Sequence, residues 1–331
     1  MSDRPEDSRA TEGRGTGPQR LMTRLGGLVQ MKEIGVLSAF VVVCLLLGLL
    51  SPYFFTTRNI FNVVRQISVV GVMTVGCTIL MASGEVDLSV GQVLGLSAAA
   101  MATLMRHGVP PWPSLLGALA IGAVMGVVNG LIVTKLRVNS LITTLGTLSV
   151  ARGFALLLTG GLPLSMPETL AFLGRGYIGP VPIPGILLLC LAVVAHVFLS
   201  RTVVGRQIYA VGSNPRAARL SGIGVERIKR LAFVAQGLCA AIGGIMLSGN
   251  LSMADPVMGE GFELDVIAAA VIGGASLSGG AGTILGSILG AGLMGVLRNG
   301  FVLLGVSTFW QVVTIGVVII LAVAIDQLRR R

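Results

Sequence analysis

Residues 34–50, 178–200 and 301–325 of this chain contain no charged residue. A bilayer core is about 30 Å thick and takes roughly 20 apolar residues of helix to cross. Within it each backbone N–H and C=O needs a partner, which a helix supplies from its own chain. A transmembrane barrel would instead leave short segments of alternating polarity. Only 11% of the 331 residues are charged and 53% are hydrophobic, whereas soluble domains carry roughly 25% charged residues. That leaves too little polar surface to cover a water-soluble globule. The chain therefore reads as an all-α, polytopic membrane helix bundle of eight to ten transmembrane helices with both termini cytoplasmic.

Ten segments are expected to span, at about 34–52, 60–82, 88–106, 115–134, 138–160, 184–200, 231–250, 264–279, 281–304 and 308–326. The segment 264–279 is short and rich in Gly and Ser, so a re-entrant or broken element is an alternative there. Residues 1–33 lack an apolar run and read as a disordered cytoplasmic tail, leaving 34–328 as the membrane domain. Small residues let membrane helices approach closely, and Gly286, Gly290, Ala291, Gly292 and Gly295 are expected to give one helix a smooth packing face. Cys44, Cys77, Cys190 and Cys239 sit in apolar runs without a CxxC pair and read as buried packing residues.

Basic residues set the orientation. Arg20, Arg24 and Lys32 precede the first span, Lys135 and Arg137 lie between the fourth and fifth, and Arg329–Arg331 end the chain. The loop 201–230 holds seven basic residues and one acid, Glu226. Ten spans place all of these on one side, and an acidic loop with Asp255, Glu260 and Glu263 on the other. The formal charge of +10 thus follows from topology and calls for no nucleic-acid partner.

Several chemistries are excluded. Of the three lysines, Lys32, Lys135 and Lys229, none follows a glycine, so the chain has no GxxxxGK[ST] loop for ATP. Neither HExxH nor GxSxG occurs, so no catalytic or metal-binding residues are assigned. His196 lies in an apolar run and reads as a packing residue more readily than a proton relay. Arg65, Arg152 and Arg298 are charges within spans and are expected to pair with carboxylates or reach an interface.

The loop 201–230 contains a short helix with both ends marked. Asn214 suits an N-cap, Pro215 the first helical position, and Gly222 a left-handed C-terminal cap. The spacing predicts helix over 215–221. Two turns are unstable alone, so the helix must dock. Ala217 and Ala218 give it a low-profile face, and Arg216 and Arg219 share a side that can meet carboxylates.

The stretch Gly212-Ser-Asn-Pro-Arg-Ala-Ala-Arg-Leu-Ser-Gly-Ile223 resembles the coupling segment of the permease subunits of bacterial ABC importers for ribose, xylose and related sugars. Three more stretches are similar to that family's motifs: Gly84-Glu-Val-Asp-Leu-Ser-Val-Gly91, Thr144–Thr147 with Ala151–Gly153, and Ile267–Gly280. Glu85 departs from the family's usual Gly, and Asn139-Ser-Leu141 from its usual Pro-containing triplet. The resemblance covers residues 34 to 328. It implies a multi-pass protein of the bacterial inner membrane that forms the pathway for a small sugar. It also implies a second permease copy, an extracytoplasmic sugar-binding protein and a cytoplasmic ABC ATPase, with ATP and magnesium bound by the ATPase and no cofactor on this chain. Asn214, Pro215, Arg216, Ala217, Ala218, Arg219, Ser221 and Gly222 would then form the ATPase contact. Asn129, Thr143, Thr144, Thr147 and Asn299 are candidates for the pathway lining. Asp87 is a helix-end residue with a structural or gating role. A secondary transporter or channel, and a membrane-embedded enzyme, are the competing classes. The first would need an ion gradient, and the second a reactive constellation that the sequence lacks.

Overall fold

The computed structural model describes residues 31–328; nearly all of the expected tail and the C-terminal arginines lie outside them. The helices in chain order are α1 (Met31–Leu50), α2 (Thr57–Ala82), α3 (Val90–Arg106), α4 (Pro111–Lys135), α5 (Ser140–Thr159), α6 (Glu168–Arg175), α7 (Ile183–Arg201), α8 (Val203–Ser213), α9 (Pro215–Leu220), α10 (Val225–Leu251), α11 (Phe262–Ile272), α12 (Ile284–Leu303) and α13 (Thr308–Leu328). Short strands pair β1 (Leu164–Ser165) with β4 (Met253–Ala254) and β2 (Tyr177–Ile178) with β3 (Val181–Pro182), both antiparallel.

Each of the ten expected spans holds a helix. Among the described residues seven, α1, α2, α4, α5, α7, α10 and α12, are long and apolar enough to cross a bilayer. α11 has 11 residues and rises about 16 Å, half a bilayer core. The segment at 264–279 is therefore broken: its Gly/Ser half, from Gly273, runs on as non-helical chain to α12. α3 is likewise shorter than its neighbours, because residues 83–89 ahead of it are not helical. α1 begins at Met31, a few residues before the expected boundary at 34.

Contacts identify the two ends of the bundle. At one, Thr283 donates to Glu33 at 2.5 Å, Tyr209 donates to the Gly282 carbonyl at 2.7 Å, and Lys229 meets Glu85 at 2.5 Å. Lys135, Arg137 and Arg201 lie at helix termini on this end. At the other, exposed aromatics cluster at helix starts and turns: Tyr53, Phe55, Trp112, Phe309 and Trp310. Trp and Tyr at helix ends are what a membrane–water interface favours.

α2 and α10 form the centre, with most of their residues buried. α10 packs along α4 with almost no side chain between the backbones. A Cβ on Gly237 would strike the Gly122 carbonyl, and one on Gly126 would meet the Phe233 carbonyl at 2.5 Å. The glycines of α12 do not share one face. Gly286 and Gly290 pack on Gly273 and Ala269 of the broken segment, Gly292 faces Phe40 of α1, and Gly295 faces Ile67 of α2. The helix is wrapped on three sides, so small residues are needed around it and not along a single stripe.

Other expectations change too. Cys77 and Cys239 are buried, but Cys190 is exposed on α7, as is His196, because that helix turns much of its apolar surface outward. Arg152 pairs with Glu260 at 3.5 Å and Arg298 with Asp265 at 2.6 Å. Arg65 has no carboxylate partner among the described residues, but bonds to the Tyr177 hydroxyl, lies over its ring and reaches Asn62. The loop after α5 contains α6, which docks Gly174 on Gly249 and Asn250 of α10.

A Cβ at Gly237 would force the central α4–α10 crossing apart, and overpacking of this kind costs about 1–3 kcal/mol. Gly237→Ala is expected to lower the thermal midpoint of the detergent-purified protein by several degrees. Gly153→Ala, where a Cβ meets nothing within 4 Å, is expected to leave it unchanged or raise it.

Candidate functional site

Non-helical backbone at membrane depth is tolerated only where protein or a water-lined cavity covers it, so the two interruptions are the first places to look for function. They lie against each other. After α2 the chain turns at Gly84 (φ +85°), and after α11 it turns at Gly279 (φ +87°). A Cβ on Gly279 would fall 2.8 Å from the Gly84 Cα and 2.6 Å from the Gly212 carbonyl at the end of α8. The Gly280 amide donates to the Ala82 carbonyl at 3.0 Å. Both broken segments thus touch each other and the segment leading into α9, backbone on backbone.

Beyond Gly84 the chain runs extended and buried to the start of α3. Asp87 is 3% exposed, and its Oδ1 accepts from the Ser89 amide at 2.7 Å and the Ser89 hydroxyl at 2.6 Å. Asn129 of α4 donates to Ser89 Oγ at 3.0 Å and lies 3.5 Å from Asp87 Oδ2. The Leu88 amide donates to Thr144 Oγ1 at 3.1 Å, while that hydroxyl donates to the Ser140 carbonyl at 2.8 Å. These bonds satisfy donors that an interrupted helix leaves open. The carboxylate acts just ahead of the helix, with Ser89 at the cap position itself.

Asp87, Asn129 and Thr144 are therefore together. Thr147 lies one turn along α5 and donates to the Thr144 carbonyl at 3.4 Å. Thr143 is buried, and its hydroxyl has no partner. Asn299 is elsewhere, near the opposite end of the bundle, where it exchanges amide bonds of 2.8 and 3.0 Å with Asn59 and ties α12 to α2.

α9 is built as its sequence predicts, one residue shorter. Asn214 Oδ1 accepts from the Arg216 and Ala217 amides at 3.1 and 3.0 Å, and Pro215 opens the helix. The Ile223 amide reaches back to the Ala218 carbonyl and the Gly222 amide to the Arg219 carbonyl, with Gly222 at φ +80°. That double return closes the C-terminus and requires a left-handed residue. Arg216, Ala217, Ser221 and Gly222 are exposed. Ala218 is not part of the outward face. It is 4% exposed and packs among Ile208, Val225 and Ile228, because this face seats α9 on its own bundle. Arg219 is paired with Glu226 at 2.5 Å. The side chain that does project is Leu220, 92% exposed, which the sequence reading passed over. A signal existed: at 100° per residue, Leu220 lies about 200° around from Ala218.

Between α9 and the Gly84 turn lies a cleft of about 570 Å³, lined by Glu85, Thr134, Arg137, Pro215, Arg219 and Lys229, among others. Lys229 Nζ meets Glu85 Oε1 across it, with side chains 20% and 10% exposed. The charge introduced at Glu85 is thereby balanced within the chain.

A capped, outward-facing short helix thus follows directly on the Gly212 backbone, which rests on both broken segments. Residues 59–323 match the family described as branched-chain amino acid transport system / permease component. The chain belongs to that family. Curated relatives include a ribose import permease of Bacillus subtilis (strain 168), 40% identical over 90% of this chain and 93% of the relative. The ribose import permease of Escherichia coli (strain K12) is 41% identical over 88% and 92%. An L-arabinose ABC transporter permease of Azospirillum brasilense is 37% identical over 92% and 91%. No solved structure matches. The permease is thus a multi-pass transport subunit of the inner membrane, of a family that is not enzymatic in itself.

Two predictions concern the permease seam. Leaving buried amide partners unsatisfied costs about 1–3 kcal/mol, so Asp87→Ala is expected to lower folded yield and thermal midpoint in detergent. Asp87→Asn, which keeps an acceptor for the Ser89 amide, is expected to lose less. Breaking a largely buried ion pair strands the partner charge, at a cost of about 3–5 kcal/mol. Lys229→Met alone is therefore expected to destabilise more than Lys229→Met combined with Glu85→Gly, and additive losses in that thermal double-mutant cycle would mean the pair is uncoupled.

Proposed function

We propose that this permease is the membrane subunit of an ATP-binding cassette importer for a monosaccharide of the ribose or arabinose class. Two copies form the pathway across the inner membrane. A sugar-binding protein delivers the solute at the end carrying the aromatics, and an ABC ATPase that binds ATP and magnesium docks at the end carrying α9. The positive-inside rule makes the α9 end cytoplasmic, with both termini there. The observation that carries the substrate class is the identity, near 40% and nearly end to end, to permeases named for ribose import. Exposed apolar side chains on α1, α5, α7 and α13 supply surface for lipid and for the second copy.

In mechanism, the ATPase grips α9, and its closure moves that helix as a capped unit. Leu220 is the apolar anchor and Arg216, which has no ion pair among the described residues, is the cation beside it, while Ala218 and the Arg219–Glu226 pair hold α9 to its own bundle. Asn129, Thr143, Thr144 and Thr147 line the inner part of the route beside Asp87. Asn299 serves packing, since its amide is engaged with Asn59.

The test is uptake in vesicles holding the permease and its ATPase, with binding protein outside and ATP inside. Ribose or arabinose accumulation that requires ATP is expected, and accumulation that follows an ion gradient without ATP would refute the reading. Leu220→Glu is expected to reduce ATPase co-purification and uptake at least tenfold without altering permease yield, because the side chain touches almost nothing in the permease itself.

A further inference from the structure

A second polar site lies in the other half of the molecule, away from the seam. Between α2, α10, α11 and α12 is a cavity of about 120 Å³ lined by Arg65, Gln66, Asn250, Phe262, Asp265 and Arg298, with Val69 and Met294 among its apolar walls. Along α2 it lies about 12–20 Å below the outer end, at membrane depth. Asp265 is 2% exposed. Its Oδ2 lies 2.6 Å from Arg298 as an ion pair, but neither carboxylate oxygen accepts a well-aligned hydrogen bond. Arg298 Nε and Arg65 Nε are also buried without partners.

Buried polar atoms are ordinarily satisfied, and those that are not call for an explanation. Ionisable groups inside the membrane mark functional sites by default. The chemistry of these atoms selects among solutes. The Asp265–Arg298 pair cancels its own charge, and the terminal nitrogens of Arg65 are turned away to Tyr177 and Asn62. What remains is a carboxylate oxygen that only accepts and two guanidinium N–H groups that only donate. A hydroxyl both donates and accepts, so neighbouring hydroxyls on one ring answer both kinds of group, whereas a free ion would leave one kind unanswered. Phe262, Val69 and Met294 offer apolar surface to the C–H face of such a ring. The volume corresponds to about four waters at about 30 Å³ each, room for part of a small sugar ring with its neighbouring hydroxyls.

We propose that this cavity is a transient monosaccharide site, which receives the sugar from the binding protein and holds it before it reaches the inner half of the pathway. The proposal rests on the sugar-importer reading and adds a place where this chain itself recognises its solute. Specificity then has two stages, and the second lies in the permease.

The experiment uses the vesicle system above with Asp265→Asn and Val70→Phe. Val70 also lines the cavity, and Phe there fills it while leaving the ion pair in place. ATP hydrolysis stimulated by the binding protein is expected to stay within twofold of wild type in both variants, while ribose uptake falls at least tenfold. Coupled hydrolysis without delivery separates loss of a solute site from loss of assembly. Normal uptake by Val70→Phe would overturn the proposal. So would variants in which hydrolysis, uptake and folded yield fall together and are all restored by exchanging the pair, Asp265→Arg with Arg298→Asp, since the pair would then be helix glue alone. A wild-type permease that fails to accumulate sugar with ATP would instead refute the importer reading and is told apart by that control.

Discussion

Where α8 leads into α9, the Gly212 backbone rests on two others, the turn at Gly84 and the turn at Gly279–Gly280. A Cβ on Gly212 would strike the Ala82 carbonyl and come within 2.5 Å of the Gly280 nitrogen. With no side chains between them, a displacement of α9 cannot be absorbed by rotamer changes. Packed interiors resist compression and transmit strain, so the segment that meets the outside bears directly on the two spans whose helices are interrupted. The Ala82–Gly280 hydrogen bond, at 3.0 Å, locks those two spans together at the same point.

The rest of the seam follows from having broken two helices inside a membrane. Each break opens backbone donors and acceptors that no water can serve. Asp87, Ser89 and Thr144 meet those ahead of α3, and Asn129 braces them from α4. The Gly/Ser run after α11 meets its own by turning back on itself, with the Ser276 amide reaching the Ala281 carbonyl. Polar residues that resemble a solute path by composition are thus in good part obligations of the backbone. Thr143, whose hydroxyl is buried and unpartnered, is the exception among them.

Much of this was legible in the sequence because membranes leave so few choices. Apolar run length gave the helices. Local chemistry gave both caps of α9, since Asn214, Pro215 and Gly222 act within a few residues of themselves. What the sequence hid depends on partners distant along the chain. That Glu85 would be balanced by Lys229, or Asn299 engaged by Asn59, is a matter of which helices touch, and spacing carries no such information. The spread of α12's glycines over three faces was hidden for the same reason: a stripe can be counted, but how many neighbours surround it cannot. Leu220 is different: its outward position, opposite Ala218, is set by the local helical period alone.

The intramembrane charges sort by how fully they are answered. Glu85 and Lys229 meet beside α9, and Oδ1 of Asp87 has two short donors. Asp265 and Arg298 meet each other but retain unpartnered atoms around a cavity. A fully answered network fixes a conformation, while a partly answered one carries a standing penalty for its unmet groups. In an importer such a penalty favours brief occupancy by something that brings hydroxyls. Only a few of the ring's hydroxyls meet a partner there, so the hold stays weak enough for release. A site built this way would be filled from a binding protein and emptied by a small movement of α11. That half-length helix abuts Gly286 and Gly290 of α12 on one side and continues on the other into the glycine turn beneath α9. Asp265 and the Gly279 turn therefore lie at opposite ends of one short segment, so in the proposed importer a single displacement of that segment would reach both the cavity and the backbone under Gly212.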